Sequence, residues 1–389
     1  MILATRSSTL IVMKVVGVAL LAGLLSVSNL VGQESLRIQP TAEGFVISFP
    51  TAGLAKIAGS LDGNYVALAK NFWSPQAHAN QTELTYFDLK AGKILWTTTY
   101  SNPNCCLPPI VQVSHEGRFV LSGGQQVHLF NREGAKLKSF AFQDSKEFAL
   151  SATLDDDGQT VAAASTQRAY LFRLNSGMVA SWPEEWAAVA LSANGQSLLI
   201  VTNAAAKLYN AQQATLAEQK PLTYQGTLVQ AAISADGKVY VAAGQPKHAE
   251  PSLLTDVFMA GSPQKKQLAL ANVKIPQLAV DRGGRFVTVE GALGDQAALW
   301  ATGTDFSRTF STTSEPAHIA LTAVGNRVAI AKGPAIELRS LPDDKLLQQM
   351  NAASTVQSLF LSENWLMALS NDKREAMPNR ILAWKVQTQ

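Results

Sequence analysis

Cysteine is almost absent from this sequence, which limits the folds and sites that the chain can form. Only two cysteines occur among 389 residues, and they are adjacent, Cys105 and Cys106. A disulfide framework needs several separated cysteines, and a structural zinc site needs Cys or His ligands at a characteristic spacing. The five histidines lack that spacing: His78, His115, His128, His248 and His318. We expect no metal site and interpret the histidines as ordinary loop or surface residues.

Charged residues are also sparse, at 16% of the chain, whereas 47% of the residues are hydrophobic. A chain with this hydrophobic content can bury a large core, which excludes intrinsic disorder. The formal net charge is +3, but without Arg6 and Lys14 of the N-terminal segment 30 basic residues face 29 acidic ones. Near-neutrality without a cluster of Lys and Arg argues against nucleic acid as a partner.

Sequence motifs for catalysis and cofactor binding are missing as well. The chain has no Gly-rich phosphate loop, no nucleophile elbow and no metalloprotease motif. We therefore predict no catalytic residue, no cofactor-binding residue and no cofactor.

Long apolar runs are absent, and the one notable run lies near the N-terminus. Lys14 precedes an apolar stretch over residues 15–25, and small residues follow up to Gly32. The stretch is shorter than the roughly 20 residues of a membrane-spanning helix. A basic flank, a short apolar stretch and a small-residue exit are typical of a secretory signal. We expect residues 1–32 to be a signal peptide, with Met13 as an alternative start, and the protein to be periplasmic or secreted. In the alternative, the segment stays uncleaved and anchors the protein.

A repeated turn phrase organises the rest of the chain. It consists of a polar residue, a spacer, Asp or Asn, and Gly, followed by a short apolar run. Asp-Gly and Asn-Gly supply the positive φ of a tight hairpin turn, and strand-forming residues follow. Eight copies begin at Ser60, Ser114, Asp155, Ser192, Ser234, Asp281, Thr322 and Ser362. They recur about every 43 residues, which is the length of a four-stranded propeller blade.

The repeat predicts an all-β domain over residues 33–389, a single β-propeller of about eight four-stranded blades. Seven blades are the alternative, because the last two copies have lost the full phrase. Beyond the eighth copy only residues 381–386 remain as a third strand. Residues 44–50 form an unassigned strand that can supply the missing outer one. We predict that this N-terminal strand pairs with the C-terminal blade and closes the ring, leaving no open sheet edge.

These repeats resemble the WD40-like and quinoprotein-like β-propeller superfamily, here of an exported bacterial type, over residues 35–389. Asp88, Gly92 and Trp96 match the spacing of a quinoprotein docking repeat, in which these residue types lock adjacent blades. The Gly-His and Trp-Asp dipeptides of true WD repeats are absent. The resemblance implies the fold more than the function.

Cys105 and Cys106 form a vicinal disulfide under one interpretation, which would stiffen the loop over residues 101–109. Neighbouring Cα atoms lie only about 3.8 Å apart, so such a bond is strained. Methanol-dehydrogenase-type quinoproteins carry a vicinal disulfide beside their cofactor, so the resemblance implies a redox role as a second possibility. Unpaired thiols are the third.

Four long insertions fall on one face of the predicted ring, and three of them lie in the neighbouring blades 8, 1 and 2. Two segments, residues 71–82 in blade 1 and residues 371–380 in blade 8, carry exposed aromatic and charged side chains. Such a combination is typical of a protein-binding hot spot. The candidate binding residues are Phe72, Trp73, His78, Lys373 and Arg374. In the alternative, the loops pack on each other and bury Trp73.

We therefore expect a non-enzymatic exported scaffold that binds another protein or a peptide on the loop-rich face, in the periplasm or cell envelope. It has no membrane span once the signal is cleaved. The alternative is a propeller enzyme that uses the central funnel, either a lactonase or hydrolase, or a quinone-dependent dehydrogenase with quinone and calcium. Convergent carboxylates in the funnel favour the enzyme, whereas small side chains favour the binding protein.

Overall fold

A computed structural model describes residues 36–50, 54–103, 108–222, 226–246, 252–271, 273–312, 315–371 and 379–387. Every regular element within these ranges is a β-strand. No helix in this part of the chain is long and apolar enough to cross a membrane. The predicted signal peptide, Cys105, Cys106, Lys373 and Arg374 lie outside the described residues.

Two strands precede the first repeat, and each of the first seven repeats contributes four strands. The N-terminal pair and the first two blades contain β1 (Arg37–Pro40), β2 (Gly44–Ser48), β3 (Ala55–Gly59), β4 (Tyr65–Ser74), β5 (Ala79–Asp88), β6 (Lys93–Ser101), β7 (Ile110–Val113), β8 (Phe119–Gly123), β9 (Val127–Asn131) and β10 (Lys136–Phe140). Blades 3, 4 and 5 contain β11 (Ala149–Leu154), β12 (Thr160–Ser165), β13 (Ala169–Arg173), β14 (Gly177–Trp182), β15 (Ala188–Leu191), β16 (Ser197–Val201), β17 (Ala205–Asn210), β18 (Thr215–Pro221), β19 (Gly226–Ile233), β20 (Val239–Pro246), β21 (Ser252–Met259) and β22 (Lys265–Ala271). Blades 6, 7 and 8 contain β23 (Val273–Val280), β24 (Phe286–Gly294), β25 (Gln296–Ala301), β26 (Ser307–Ser311), β27 (Ala317–Leu321), β28 (Arg327–Lys332), β29 (Ala335–Ser340), β30 (Leu346–Asn351), β31 (Val356–Leu361), β32 (Trp365–Ser370) and β33 (Arg380–Lys385).

The strands form eight separate antiparallel sheets, one for each copy of the turn phrase. Within blades 1 to 7 the strands follow one another in chain order across the sheet, from the innermost strand to the outermost. The first strand of each blade contacts the first strand of the next around the ring. The protein is therefore an eight-bladed β-propeller, and the seven-blade alternative is wrong.

The eighth blade combines both ends of the chain and confirms the predicted closure. Its strands lie in the order β31, β32, β33, β2 and β1. β2 pairs with β33 along its whole length, from Gly44 opposite Trp384 to Ser48 opposite Arg380. β1 adds a fifth strand at the outer edge, which the sequence did not predict. The ring is thus sealed by a strand from the opposite end of the chain.

Apolar side chains fill the spaces between neighbouring blades. Val66 and Leu68 of blade 1, for example, share a buried cluster with Met367 and Leu369 of blade 8. The Ala- and Val-rich second strand of blade 3, β12, is buried along its whole length. Continuous apolar runs therefore suit strands whose two faces are both covered by other sheets.

The turn phrase has two roles, of which the sequence revealed only one. The predicted role belongs to seven glycines, whose φ angles lie between 66° and 76°: Gly63, Gly117, Gly158, Gly195, Gly237, Gly284 and Gly325. The second role belongs to the polar residue that opens each phrase, because this side chain is buried in all eight blades. Its side-chain oxygen accepts a hydrogen bond from the backbone N–H at the start of the strand that follows the turn, as Ser192 does from Ser197 at 2.9 Å.

Backbone hydrogen bonds join these turns around the ring. In five of the eight turns the second residue donates its N–H to the equivalent carbonyl of the next blade, as Leu61 does to His115 at 2.9 Å. The same bond spans the closure, where Glu363 of blade 8 donates to Leu61 of blade 1 at 3.2 Å. The junction between the last and first blades is therefore built like other junctions of the ring.

Candidate functional site

The first halves of the inner strands surround a central funnel of about 320 Å³, a volume at the lower end of typical ligand pockets. Blades 1 to 6 contribute its lining, which consists mainly of apolar, small and amide side chains. The funnel lies at the end where the inner strands begin, so the turn phrases lie at the other end. We call these two ends the funnel face and the turn face.

Two large apolar side chains of neighbouring blades line the funnel. Trp186, in the link that leads into β15, is 59% exposed, and Leu228 of β19 is 41% exposed. Both have a φ of 53°, which is uncommon for residues other than glycine. Leu228 lies where the pairing of β19 with β20 shifts register, at a β-bulge. Strained backbone at both positions presents apolar surface to solvent, as binding sites do.

Lys56 is the only charged side chain among the described residues that line the funnel. It lies on β3 of blade 1, opposite Ala69 of β4. Burial lowers the pKa of Lys56, and the Glu290 carboxylate of blade 6 partly offsets this effect. Among the described residues none forms a hydrogen bond or an ion pair within 4 Å with Lys56 Nζ. The funnel therefore contains an amine that has no direct partner among the residues that the structure describes.

Glu290 is engaged with blade 7. Its Oε2 atom accepts the backbone N–H of Ile319 at 2.5 Å and lies 3.5 Å from His318 Nδ1. Both Glu290 and His318 are buried. The carboxylate thus influences Lys56 from a distance while it accepts its hydrogen bond from Ile319.

The turn face carries an ion pair close to the axis. Arg282 of blade 6 donates to Asp156 of blade 3 at 2.7 Å, and His115 of blade 2 lies 3.4 Å from the same oxygen. Since these blades are not all neighbours, the side chains must reach across the space that their turns surround.

The predicted binding segment of blade 1 is a hairpin, so its interpretation as a long loop was wrong. β4 and β5 remain paired from Asn71 opposite Thr82 to Ser74 opposite Ala79. Buried polar side chains hold this extension, because Thr82 donates to Asn71 at 2.7 Å and Asn102 donates to Thr82 at 2.8 Å. These hydrogen bonds depend on cross-strand partners that a local sequence pattern does not reveal.

The hairpin nevertheless projects from the predicted face. β3 begins at the funnel and β4 runs antiparallel to it, so the end of β4 lies on the funnel face. Trp73 is 58% exposed, contrary to the alternative in which it is buried. Phe72 is half-buried, and His78 is exposed at the tip. Their proximity to Lys373 and Arg374 stays a prediction.

Two histidines differ from the expectation that all are loop or surface residues. His128 lies in β9, where its ring packs against Tyr100 and its Nδ1 atom is 2.9 Å from Ser139 Oγ. His318 is buried in β27. Both occupy strands that neighbouring blades cover. In the described part of the chain no group of three His, Cys, Asp or Glu residues has the arrangement of a metal site.

Of the three residues that resemble a quinoprotein docking repeat, Trp96 connects adjacent blades. Trp96 of blade 1 donates from Nε1 to the carbonyl of Arg132 in blade 2 at 2.9 Å. Gly92 has a φ of 63°, and Asp88 accepts the N–H of Ala91 within the same turn at 2.8 Å. The motif is thus structural in blade 1.

The sequence did not reveal Trp186, Leu228 or Lys56 as site residues. Trp186 ends a short polar stretch, residues 183–186, immediately before an inner strand. A tryptophan in such a link is the one sequence feature that could have indicated the funnel. Leu228 and Lys56 lie in ordinary strand patterns, which carry no signal of a site.

No protein-family model matches this sequence, and no curated protein matches it. Solved structures do match its fold. The propeller of Dos1 aligns with a TM-score of 0.61 and 13% identity, over 90% of this chain and 95% of that one. The β-propeller domain of Cps50 (Swd1) from Myceliophteria thermophila aligns with a TM-score of 0.52 and 12% identity, over 91% and 100% of the two chains. Hydrazine synthase from Kuenenia stuttgartiensis aligns with a TM-score of 0.50 and 12% identity, over 90% and 99%. At these identities the likeness establishes the propeller fold alone.

Proposed function

We propose that this protein is a non-enzymatic scaffold that binds a protein or a peptide on its funnel face. The observation that carries this proposal is the pair Trp186 and Leu228, two apolar side chains exposed in a concave funnel that is lined mostly by apolar residue types. Tryptophan is among the residues that contribute most to protein interfaces, and such residues work best beside a pocket that excludes water. The exposed Trp73 on the same face supports a second contact point.

The chemistry of the funnel supports binding over catalysis. The lining that the structure describes carries Lys56 but no carboxylate and no histidine. Lysine can itself act as a general acid or base, but the described lining offers no second titratable side chain to work with Lys56. The propellers of Dos1 and Cps50 are compatible with a scaffold, whereas hydrazine synthase is an enzyme by name, so the comparisons alone do not decide between the two functions.

We also propose that the scaffold acts in the periplasm or cell envelope. Lys14, the apolar stretch over residues 15–25 and the small residues that follow it support export. N-terminal sequencing of the protein from its native source should give a start close to residue 33. An intact N-terminus would contradict cleavage.

A peptide-display selection tests the binding function. Random peptides are selected on the immobilised protein, and the affinity of the enriched peptides is measured for the wild type, Trp186→Ala and Trp73→Ala. We expect Trp186→Ala to weaken binding about tenfold or more, as the loss of an interface tryptophan does. Trp73→Ala should weaken those peptides that are long enough to reach the hairpin.

Met178→Ala is the matched control. Met178 is 48% exposed, but it lies on the outer strand β14 of blade 3, away from the funnel. Its substitution should leave the affinity unchanged. Equal affinities for all four proteins would overturn the proposal that the funnel face is the binding surface.

A further inference from the structure

The amine of Lys56 is the feature of the funnel that apolar contacts alone do not explain. An ammonium group that is partly withdrawn from water is costly unless a counter-charge or a hydrogen-bond acceptor compensates it. Lys56 forms no hydrogen bond and no ion pair with the described residues. Its side chain still lines the open funnel rather than being sealed inside the protein.

Glu290 does not fill this role. Its carboxylate is close enough to affect Lys56 electrostatically, but it accepts a hydrogen bond from Ile319 and faces His318. The remaining lining offers backbone, amide and apolar groups, with Gln230 and Gln277 among them. The group best suited to neutralise the positive charge of Lys56 is therefore an anion that enters from the funnel face.

We propose that Lys56 binds a carboxylate carried by an apolar peptide segment, so that the funnel selects acidic groups flanked by apolar residues. This inference rests on the proposed function and names the chemistry of its ligand. Trp186 and Leu228 contact the apolar residues, while Lys56 forms the charged contact within the same funnel. A charge-assisted bond is stronger than a neutral one and gives the orientation that apolar contacts lack.

Burial also suits Lys56 for such a contact. Burial lowers the pKa of the amine, which means that the charged form of Lys56 is already destabilised before a ligand binds. A carboxylate that binds beside the amine favours the charged form and offsets this cost. The carboxylate has two sources in a peptide, the C-terminus and the side chain of Asp or Glu.

Three pools of random octapeptides separate these sources. All are acetylated and built from Ala, Leu, Val, Phe, Pro and Ser. The first pool ends in an amide, the second ends in a free carboxylate, and the third ends in an amide but carries one central Glu. Each pool is passed over immobilised wild-type protein, and the retained peptides are quantified by mass spectrometry.

We expect the wild type to retain the second or third pool about tenfold more than the neutral pool, as a charge-assisted bond implies. Lys56→Met should remove this preference, and Lys56→Arg should keep most of it. Thermal unfolding of each variant checks that the propeller remains folded.

Equal retention of the three pools, or an acid preference that Lys56→Met leaves unchanged, would overturn the role of Lys56. If the peptides are nevertheless retained and Trp186→Ala reduces their retention, the proposed binding function stands without a role for Lys56. Failure to retain any pool, or retention that Trp186→Ala leaves intact, would instead count against the binding function, and the inference would fall with it.

Discussion

Arg282 and Asp156 are 126 positions apart in the sequence, and their side chains meet at 2.7 Å. The first lies in the turn phrase of blade 6 and the second in that of blade 3. Because the blades are not neighbours, this ion pair connects two turns that no sheet or backbone hydrogen bond joins directly. It therefore couples distant parts of the ring at the turn face.

The energy of this coupling should be small but measurable. Both side chains are about one-third exposed, so we expect a coupling energy of about 0.5–1 kcal/mol from a double-mutant cycle of Arg282→Ala and Asp156→Ala. Urea unfolding of the four proteins measures it. The pair Lys238 and Asp236, more exposed and within one turn, serves as the control and should give a smaller value. Strictly additive effects at Arg282 and Asp156 would show that the contact contributes nothing.

Removal of the N-terminal strands tests the closure of the ring. Deletion of residues 36–50 uncovers β33 and removes Ile47 and Phe49 from a buried cluster. We expect the melting temperature to fall by about 10 °C or more, since each buried side chain of this size contributes about 1.5–3 kcal/mol. Deletion of residues 36–40 removes only the edge strand β1 and should have a much smaller effect. Similar melting temperatures for the wild type and the longer deletion would contradict this account of closure.

Glycine at the end of a turn phrase should be required for two separable reasons. Gly158 has a φ of 66°, and an added Cβ would lie 2.6 Å from the Phe119 ring of the preceding blade. Gly177, the first residue of β14, lies outside the turn phrase and serves as the comparison. It has a φ of 80°, but nothing lies within 4 Å of its added Cβ. We expect Gly177→Ala to cost about 1 kcal/mol of unfolding free energy and Gly158→Ala about 2–3 kcal/mol. Chemical denaturation compares them, and equal costs would rule out the contact as a cause.

The stability of the propeller should depend on pH through His128. Burial lowers the pKa of His128 to about 4, from 6.5 for an unperturbed histidine. The unfolded chain therefore binds more protons than the native one between these values. The stability contributed by neutral His128 is complete above pH 6.5 and is lost as the pH falls toward 4.

His128→Gln checks this dependence. Between about pH 7 and pH 5 the wild type should lose about 2 kcal/mol more unfolding free energy than the variant does. Urea unfolding at both pH values measures the difference. His78→Gln, at the exposed hairpin tip, is the control and should behave as the wild type. Parallel losses in wild type and His128→Gln would exclude His128 as the source.

The sequence predicted the blades well because their signals are local. An Asp-Gly or Asn-Gly turn and the apolar run after it lie within one hairpin, so the eight copies could be counted without any distant partner. The closure by residues 44–50 could also be predicted, because the eighth blade lacked its outer strand and residues 44–50 formed a strand that belonged to no other blade. β1 escaped notice because its four residues have little strand character and end in Pro40.

The funnel could not be predicted in the same way. The exposure of Trp186 and Leu228 depends on left-handed backbone that the surrounding blades impose. The environment of Lys56 depends on Glu290, more than two hundred positions away in the sequence. Periodicity reports which residues face a neighbouring sheet, but it does not report which side chains converge on an axis.

The pairing of β2 with β33 also means that blade 8 cannot be completed before the last strands of the chain are available. The hairpins of blades 1 to 7 join residues that are close in sequence, so each can form as soon as its segment is available. Blade 8 must wait for the last strands of the chain, while β2 stays without its partner. An unpaired strand of this kind is open to the wrong partner, including the same strand of another molecule. The chain is thus most vulnerable to aggregation in the interval between the first blade and the last.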